Sequence, residues 1–550
     1  MGASIRAANA ARVILSCAVL AVARFEYEVS PDFCESLQLL QFRAESFSAS
    51  SNEAAEALQT CSPLNNHGAY FSVKVEVGTP MDDQPPQTFD VVADTGSDAL
   101  IVPSCLCAKE GKCDGEDACF QGTGRSSTFF LATGEVPVLS MEFGSGAIEA
   151  AVATDTVHID GLHANMSGSL LLMVDRQLDI TGKFEGILGL GQIQSEHAKP
   201  MGKQLARRWR REEEEEGEPN IKGFLREAGV NRFSICFNSH TNGALRFNTP
   251  APSGPQLGSV GSYHWGLELK GMAVGGAEEP LLFCGEGEEC GAIPDSGTTV
   301  ILGPEQKIMT LFQALCDQWP RCVEKAKEAI SLASKDVEDD ERAETEMNIK
   351  VESFQRLLYY CDDWVHEGKG IAELPPLHMK LAGAKTGAGP LLQLNVEPAR
   401  QKNREVVDVK IDARSYIITT EPDQAFLTTA LLGGVAPTHH LPSATSSQRV
   451  CLPAFGVSDY YASSSSKQVW IVGTPLFFSN VVNYDLGSTP PSMSISNERC
   501  DVCTKKASLL SDGVVLDTPA DGTSPANDEN VLPRFMRGAP RIGHFDLSGF

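Results

Sequence analysis

Apolar residues recur in short alternating runs along most of the chain. Runs such as YFSVKVEVGTP and TFDVVADTG are rich in β-branched and aromatic residues and are separated by Gly, Asn, Asp and Ser. Such alternation, with turn-forming residues between the runs, is typical of β-strands joined by tight connections. The pattern predicts one β lobe over residues 67–250 and a second over residues 263–499.

Four segments depart from the β pattern. Residues 251–262 are rich in Pro, Gly and Ser and are predicted to link the lobes. Residues 305–360 carry Ala, Glu and Lys at helical density, which predicts a charged helical insertion. Lys203–Asn220, a basic run followed by glutamates, predicts another solvated helical insertion. Residues 500–550, rich in Ser, Pro, Gly and Asp, are predicted to be a disordered tail. We therefore expect an all-β, two-lobed protein with helical insertions.

The N-terminus has the pattern of a secretory signal peptide. Two arginines precede an apolar run from Val13 to Val22, which ends in Ala-Val-Ala, a sequence suited to signal cleavage. This predicts removal of residues 1–23, followed by an N-terminal segment or short propeptide over residues 24–66. No later segment reaches the roughly 18 to 20 apolar residues that a spanning helix needs. We expect a secreted protein or one in the lumen of an acidic vesicle or vacuole.

Charge and cysteine content narrow the class of protein. A formal net charge of −27 argues against a nucleic-acid partner and favours a protein that stays soluble where carboxylates begin to protonate. The chain has 16 cysteines, and loss of Cys17 with the signal leaves an odd number. This content suits an oxidising compartment. Cys236, inside an apolar strand, is the candidate for an unpaired thiol.

One short acidic motif occurs twice. VVADTGSDALIVPS contains Asp94, and CGAIPDSGTTVILGP contains Asp295; each aspartate follows an apolar run and precedes a hydroxyl residue, a glycine and another hydroxyl residue. A single Asp-x-Gly is an ordinary turn. Here one copy falls in each predicted lobe, and each is followed later by an apolar pair and Gly, in FEGILGLG and WIVGTPLFF. The duplication predicts two related sites rather than two turns.

The two motifs resemble the active-site motifs of the pepsin-like aspartic proteases. The resemblance extends from Ala69 to about Ile495 and includes the segments RFSICF, GALRFN, WGLELKGMAVGG and ELPPLHMKL. It implies a two-lobed fold with a cleft between the lobes. It also implies an aspartic endopeptidase that acts as a monomer on peptide or protein substrates, with no metal, other cofactor or covalent intermediate.

By this resemblance Asp94 and Asp295 are the catalytic pair. Two adjacent carboxylates share one proton, so that one acts as base toward a water molecule and the other as acid toward the peptide carbonyl; aspartic proteases are the standard example. Glycines then let the backbone approach the carboxylates, while hydroxyl residues brace the two loops and bond the outer carboxylate oxygens. These supporting residues are Thr95, Gly96, Ser97, Ser296, Gly297 and Thr298.

FGSGAIEAAVATDTV matches the spacing of the family's flap hairpin. The implied flap and cleft residues are Phe143, Gly144, Ser145, Gly146 and Ile101. The family usually has Tyr at position 143, Trp at position 101, and Val, Ile or Ala where this chain has Pro294. The Tyr and Trp are typically bonded to each other, so changing both leaves neither donor unpaired. These departures keep open an alternative, a catalytically inactive binding or inhibitor protein on the same fold.

The resemblance also implies the disulfides Cys284–Cys290 and Cys361–Cys451. After the first motif, four cysteines crowd one loop, which predicts two disulfides, with zinc as the alternative; they are Cys105, Cys107, Cys113 and Cys119. The remaining proposed pairs are Cys34–Cys61, Cys316–Cys322 and Cys500–Cys503. Asn165-Met166-Ser167 is an N-glycosylation sequence. No metal site is expected.

Overall fold

The structure is a computed structural model, and all the residues that it describes lie within Gln59–Phe550. It describes residues 59–81, 84–115, 117–133, 136–143, 146–178, 184–192, 221–261, 263–276, 281, 290–333, 341–384, 406–420, 450–461, 467–503 and the backbone of 534–535. The predicted signal peptide and the Lys203–Asn220 insertion lie outside these residues.

The first half of the unit is mainly strands, as the alternating pattern predicts. Its strands are β1 Thr60–Asn66, β2 Phe71–Val77, β3 Gln87–Asp94, β4 Leu100–Pro103, β5 Val138–Phe143, β6 Gly146–Ile159, β7 Leu162–Leu178, β8 Ile187–Gly189, β9 Arg232–Cys236 and β10 Gly243–Phe247. Two short helices accompany them, α1 Cys105–Lys109 and α2 Phe224–Glu227.

The second half combines strands with a helical insertion. Its strands are β11 Leu257–Gly258, β12 Leu267–Val274, β13 Cys290–Pro294, β14 Ile301–Gly303, β15 Leu377–Ala382, β16 Val406–Ile411, β17 Ile417–Thr420, β18 Val450–Pro453, β19 Phe455–Val457, β20 Tyr460–Tyr461, β21 Gln468–Val472, β22 Val481–Asp485, β23 Ser492–Ser496 and β24 Arg534–Phe535. Its helices are α3 Glu305–Gln318, α4 Pro320–Ala333, α5 Arg342–Tyr359, α6 Ala413–Tyr416 and α7 Thr474–Ser479, with 3-10 turns at Cys361–Asp363 and Gly370–Glu373.

Within the described residues these strands form three sheets. Thirteen strands follow the order β11-β23-β22-β9-β10-β1-β2-β3-β8-β4-β7-β6-β5, and a second sheet contains β16-β15-β12-β13-β21-β14-β19 with β20 at its side. A small sheet contains β18-β17-β24. Strands β9 and β22 come from different lobes and pair antiparallel, so backbone hydrogen bonds join the lobes.

The duplicated motif corresponds to a duplicated strand arrangement. In the first lobe, β3 pairs in parallel with β8, which pairs antiparallel with β4. In the second lobe, β13 pairs in parallel with β21, which pairs antiparallel with β14. Each motif therefore ends a central strand beside the strand of its own apolar-Gly segment. The predicted all-β, two-lobed fold is confirmed.

The predicted helical insertion forms α3, α4 and α5. Helix α3 contacts β12 and β19, α5 contacts β18, and α4 packs on α3 and α5. The rings of Phe312 in α3 and Phe354 in α5 are in contact, with centroids 5.2 Å apart. Cys316–Cys322 joins α3 to α4, and Cys361–Cys451 joins the end of α5 to β18. The insertion is thus a packed part of the lobe.

Three of the cysteine predictions are wrong. Cys236 is not a free thiol, because it pairs with Cys500, and Cys61 pairs with Cys503. These bonds exclude both Cys34–Cys61 and Cys500–Cys503. The physical reason is that the segment after β23 passes beside β1, β10 and β9, where the Asn238 side chain donates to the Cys500 carbonyl at 3.2 Å.

The remaining cysteines near the motifs are also bonded. The crowded loop after the first motif forms two disulfides, Cys105–Cys119 and Cys107–Cys113. Cys290 is disulfide-bonded, and Cys284, its predicted partner, lies outside the described residues. Beyond Cys503, the described part of the predicted tail is β24, which pairs in parallel with β17.

Candidate active site

Asp94 and Asp295 lie at corresponding places in the two lobes. Asp94 is the last residue of β3, and Asp295 directly follows β13. Their exposed fractions are 2% and 0%. Burial of two carboxyl groups is costly unless hydrogen bonds compensate for the lost water, so the donors around them decide what this pair can do.

The two carboxyl groups have matching hydrogen bonds. Asp94 accepts from the Gly96 amide at 2.9 Å through Oδ1 and from the Ser97 hydroxyl at 2.5 Å through Oδ2. Asp295 accepts at the same two distances, from the Gly297 amide through Oδ1 and from the Thr298 hydroxyl through Oδ2. Each copy of the motif therefore supplies one amide and one hydroxyl to its own aspartate.

The glycines hold the two carboxyl groups close to each other's loop. A Cβ atom on Gly96 would lie 2.8 Å from Cγ of Asp295, and one on Gly297 would lie 2.7 Å from Cγ of Asp94. Such distances are too short for any side chain. Only glycine therefore fits where each loop meets the opposite carboxyl group. We call Asp94 and Asp295 the dyad.

Thr95 and Ser296 join the two loops by reciprocal hydrogen bonds. The Thr95 amide donates to Oγ of Ser296 at 3.0 Å, and the Ser296 amide donates to Oγ1 of Thr95 at 3.0 Å. Each hydroxyl then donates across to the opposite lobe, Thr95 to the Pro294 carbonyl at 3.0 Å and Ser296 to the Ala93 carbonyl at 2.7 Å. These four buried bonds fix the spacing of the dyad.

The apolar-Gly segments support the loops from the other side. In the first lobe the Leu190 amide donates to the Asp94 carbonyl at 2.7 Å, and the Gly191 amide donates to the Ser97 carbonyl at 2.7 Å. In the second lobe the Thr474 amide donates to the Thr298 carbonyl at 2.8 Å. The later segments thus hold the backbone of the motif loops.

The environment of Asp295 favours its protonated form. Burial is the largest cause, and the nearby Asp94 carboxyl group is the second; together they raise the pKa of Asp295 well above its usual range. Hydrogen bonds from Thr298 and Gly297 act in the opposite direction without cancelling the rise. The dyad can therefore hold one proton in a pH range where an isolated aspartate would be ionised.

Pro294 leaves the second loop intact. It is the last residue of β13 and lies opposite Val472 in the parallel pairing with β21. The ladder continues at the next residue, because the Asp295 amide donates to the Val472 carbonyl at 3.0 Å. The missing amide of the proline therefore does not interrupt the bonds that hold Asp295.

The two substituted flap positions belong to one apolar cluster. Ile101 is 1% exposed in β4, and Phe143, at the end of β5, is partly buried against the same cluster. Phe143 pairs with Gly146 across the hairpin, whereas Gly144 and Ser145 lie outside the described residues. An apolar environment thus replaces the polar contact that the resemblance implies.

Two tyrosines near the dyad were missed by the sequence analysis. Burial is the largest cause of a raised pKa for Tyr460. A hydrogen bond with Ser458 lowers this pKa, and the charge of Asp295 raises it slightly. Tyr484 of β22 is fully buried, and its burial and the charge of Asp295 both raise its pKa. Both residues come from strands far along the chain from Asp295, so no local motif identified them.

The described residues contain no group of three or more His, Cys, Asp and Glu side chains that could hold a metal ion. Among the same residues, no helix is both long and apolar enough to cross a membrane.

Comparison with known proteins identifies the class to which this fold and site correspond. The eukaryotic aspartyl protease family model matches residues 69–211, which contain the first motif and the flap. Together with the two-lobed fold and the relatives described next, this match shows that the chain is similar to the pepsin-like aspartic proteases.

The curated relatives are similar over part of their length. Cathepsin E of Mus musculus is 27% identical over 259 residues, 45% of this chain and 56% of the relative. Aspartic proteinase oryzasin-1 of Oryza sativa subsp. japonica is 27% identical over 340 residues, 51% of this chain and 58% of the relative. Pregnancy-associated glycoprotein 1 of Ovis aries is 30% identical over 254 residues, 44% of this chain and 58% of the relative. The chain thus spans a little over half the length of these relatives.

Proposed function

We propose that the protein is an aspartic endopeptidase that hydrolyses peptide bonds through the dyad and favours acidic pH. The observation that carries this proposal is the matched pair of buried carboxyl groups, each with one amide and one hydroxyl donor. Replacing buried charged groups with apolar residues is often neutral or even stabilising for a fold. Stability alone therefore does not explain two buried carboxyl groups, and their presence favours a chemical role.

The reaction follows from the single proton that the two carboxyl groups share. Protonated Asp295 donates its proton to the oxygen of the substrate carbonyl, while ionised Asp94 takes a proton from a water molecule whose oxygen attacks the carbonyl carbon. The tetrahedral diol then collapses as the proton on Asp94 passes to the leaving nitrogen, and the C–N bond breaks. One diol proton returns to Asp295, so the dyad recovers its single proton.

The substrate is an extended peptide bound between the lobes under the Phe143 flap. Phe143 and Tyr460 are partly buried against the cluster that contains Ile101 and supply mostly apolar surface, which favours apolar side chains next to the cleaved bond. Asp94 and Asp295 form the polar centre of this cleft.

Processing and location are part of the same proposal. Removal of residues 1–23 fits entry into the secretory route, followed by secretion or delivery to an acidic lumen. Any propeptide within residues 24–66 must end before β1, because Thr60–Asn66 is paired in the sheet and Cys61 is bonded to Cys503. Asn165 is exposed on β7 and is therefore accessible to a glycan.

The decisive experiment is digestion of a peptide library by the mature protein between pH 3 and 7. We expect cleavage at acidic pH that Asp94→Ala and Asp295→Ala abolish and that Asp114→Ala, a control at an exposed carboxylate, retains. Failure of a folded wild-type sample to cleave at any pH would reject the proposal. Peptide binding without cleavage would instead favour the inactive binding protein.

A further inference from the structure

Tyr484 has a buried hydroxyl group for which the described residues supply no hydrogen bond. Tyr484 is 1% exposed, and its hydroxyl oxygen is inaccessible to solvent and unbonded among the described residues. Its ring stacks on Phe233 at 4.5 Å and packs against Trp265 at 4.8 Å. A buried hydroxyl without a hydrogen bond destabilises a folded protein. Packing alone would be served better by phenylalanine.

Tyr484 is connected to both halves of the active site. Trp265, on which it packs, donates from Nε1 to the Leu190 carbonyl at 2.9 Å, and Leu190 in turn holds the Asp94 carbonyl. The Tyr484 side chain also interacts with that of Thr95 and with the charge of Asp295. The phenol therefore lies close to Thr95 and to the dyad.

Thr95 has one unused acceptor position. A threonine hydroxyl has one proton and two lone pairs. The proton of Thr95 goes to the Pro294 carbonyl, and one lone pair accepts from the Ser296 amide. The second lone pair has no other donor among the described residues, and the neighbouring phenol has a proton to give.

We propose that Tyr484 is a positioning residue for the dyad, acting through donation of its hydroxyl proton to the free lone pair of Thr95 Oγ1. The proposal rests on the proposed protease function.

The donated bond also has an electrostatic consequence. A hydroxyl dipole with its proton toward the dyad stabilises the negative charge that the two carboxyl groups share. Without it, the dyad holds its protons more tightly, so the acidic limb of the activity profile moves to higher pH.

Tyr484→Phe tests this directly, because it removes the hydroxyl and keeps the ring. We expect the acidic limb of kcat/KM to shift upward by about 0.3 to 1 pH unit and kcat to fall by about threefold to tenfold, with KM at the optimum unchanged. Tyr416→Phe is the matched control. Tyr416 is also fully buried, but its hydroxyl donates to the Pro375 carbonyl at 2.5 Å. The control should lower Tm and leave the pH profile unchanged.

An unchanged profile in Tyr484→Phe, or an equal shift in Tyr416→Phe, would overturn the proposal. Infrared titration of the protonated carboxyl band, assigned by its loss in Asp295→Asn, supplies a readout that needs no turnover. We expect this band to persist to higher pH in Tyr484→Phe than in the wild type. Coincident titrations would reject the role of Tyr484 even if the wild type cleaves no peptide, whereas absence of cleavage alone would reject only the protease function.

Discussion

Gly297 has no space for even one additional carbon atom. Its Cβ would meet Cγ of Asp94 at 2.7 Å, and hydrogen bonds hold that carboxyl group in place. Gly297→Ala must therefore displace one loop relative to the other. Because displacements of about 1 Å in an active site cost roughly 100-fold in rate, we expect kcat/KM to fall by at least about that factor in a peptide-cleavage assay.

Gly276→Ala is the control for this substitution, since a Cβ atom there meets nothing within 4 Å. It should retain wild-type kcat/KM. Full activity in Gly297→Ala would contradict the close approach of the second loop to Asp94.

Asp295 should make folding stability depend on pH. Its raised pKa means that the folded chain binds this proton more tightly than the unfolded chain. The resulting stabilisation is complete below the unfolded pKa and is lost as pH rises through the folded pKa, by about 1.4 kcal/mol for each unit of elevation. Asp295→Asn stays neutral. We expect it to be more stable than the wild type above that range, as measured by urea unfolding between pH 3 and 8.

The acidic end of the same titration provides the internal control, because both forms are neutral there and their stabilities should converge. Curves for the wild type and Asp295→Asn that remain parallel throughout would contradict a raised pKa for Asp295.

Some residues near the dyad can be identified from the sequence, and others cannot. Asp94 and Asp295 and their glycines and hydroxyls are adjacent along the chain, so the duplicated motif identifies them together. Tyr484 reaches the dyad only because β22 pairs with β9 across the two lobes. Such long-range pairing leaves no local pattern around the tyrosine.

At the scale of elements, two disulfides hold the helical insertion, one between α3 and α4 and one just after α5. Cys361–Cys451 joins residues 90 positions apart, whereas Cys316–Cys322 joins residues 6 apart. A disulfide that closes a longer loop removes more entropy from the unfolded chain. We expect replacement of Cys361 and Cys451 by serine to lower the unfolding free energy by about 2 to 5 kcal/mol.

The same replacement at Cys316 and Cys322 is the comparison, and guanidinium unfolding measures both. The short-loop variant should lose less stability than the long-loop variant. A larger loss from the short loop would show that local packing, not loop closure, dominates at these sites.

The sequence predicts that residues 305–360 are helical, but it does not predict that they break into separate helices. Pro320 has no amide to donate, so α3 ends at Gln318 and a new helix begins at Pro320.

The predicted linker contains a strand that the sequence did not indicate. Leu257 and Gly258 form β11 only because β23 lies alongside them, and a segment rich in Pro, Gly and Ser gives no sign of that partner.

At the scale of the whole molecule, the lobes are joined by strands from both halves of the chain. Two sets of hydrogen bonds hold the lobes together. One set is the antiparallel pairing of β9 with β22. The other is the four bonds that Thr95 and Ser296 make between the two motif loops. The cysteine errors belong to this scale. Cys61 and Cys503 are 442 positions apart, and spacing along the chain carries no information about a contact that requires the complete fold.

The bond between Cys61 and Cys503 turns nearly the whole unit into one covalent ring. A single cut in the backbone anywhere between these cysteines opens the ring but does not release a fragment. A nicked molecule would therefore migrate as one species until a reductant is added. For a protein proposed to cleave peptide bonds, self-cleavage would leave the molecular mass of an oxidised sample almost unchanged, and only reduction would separate the pieces.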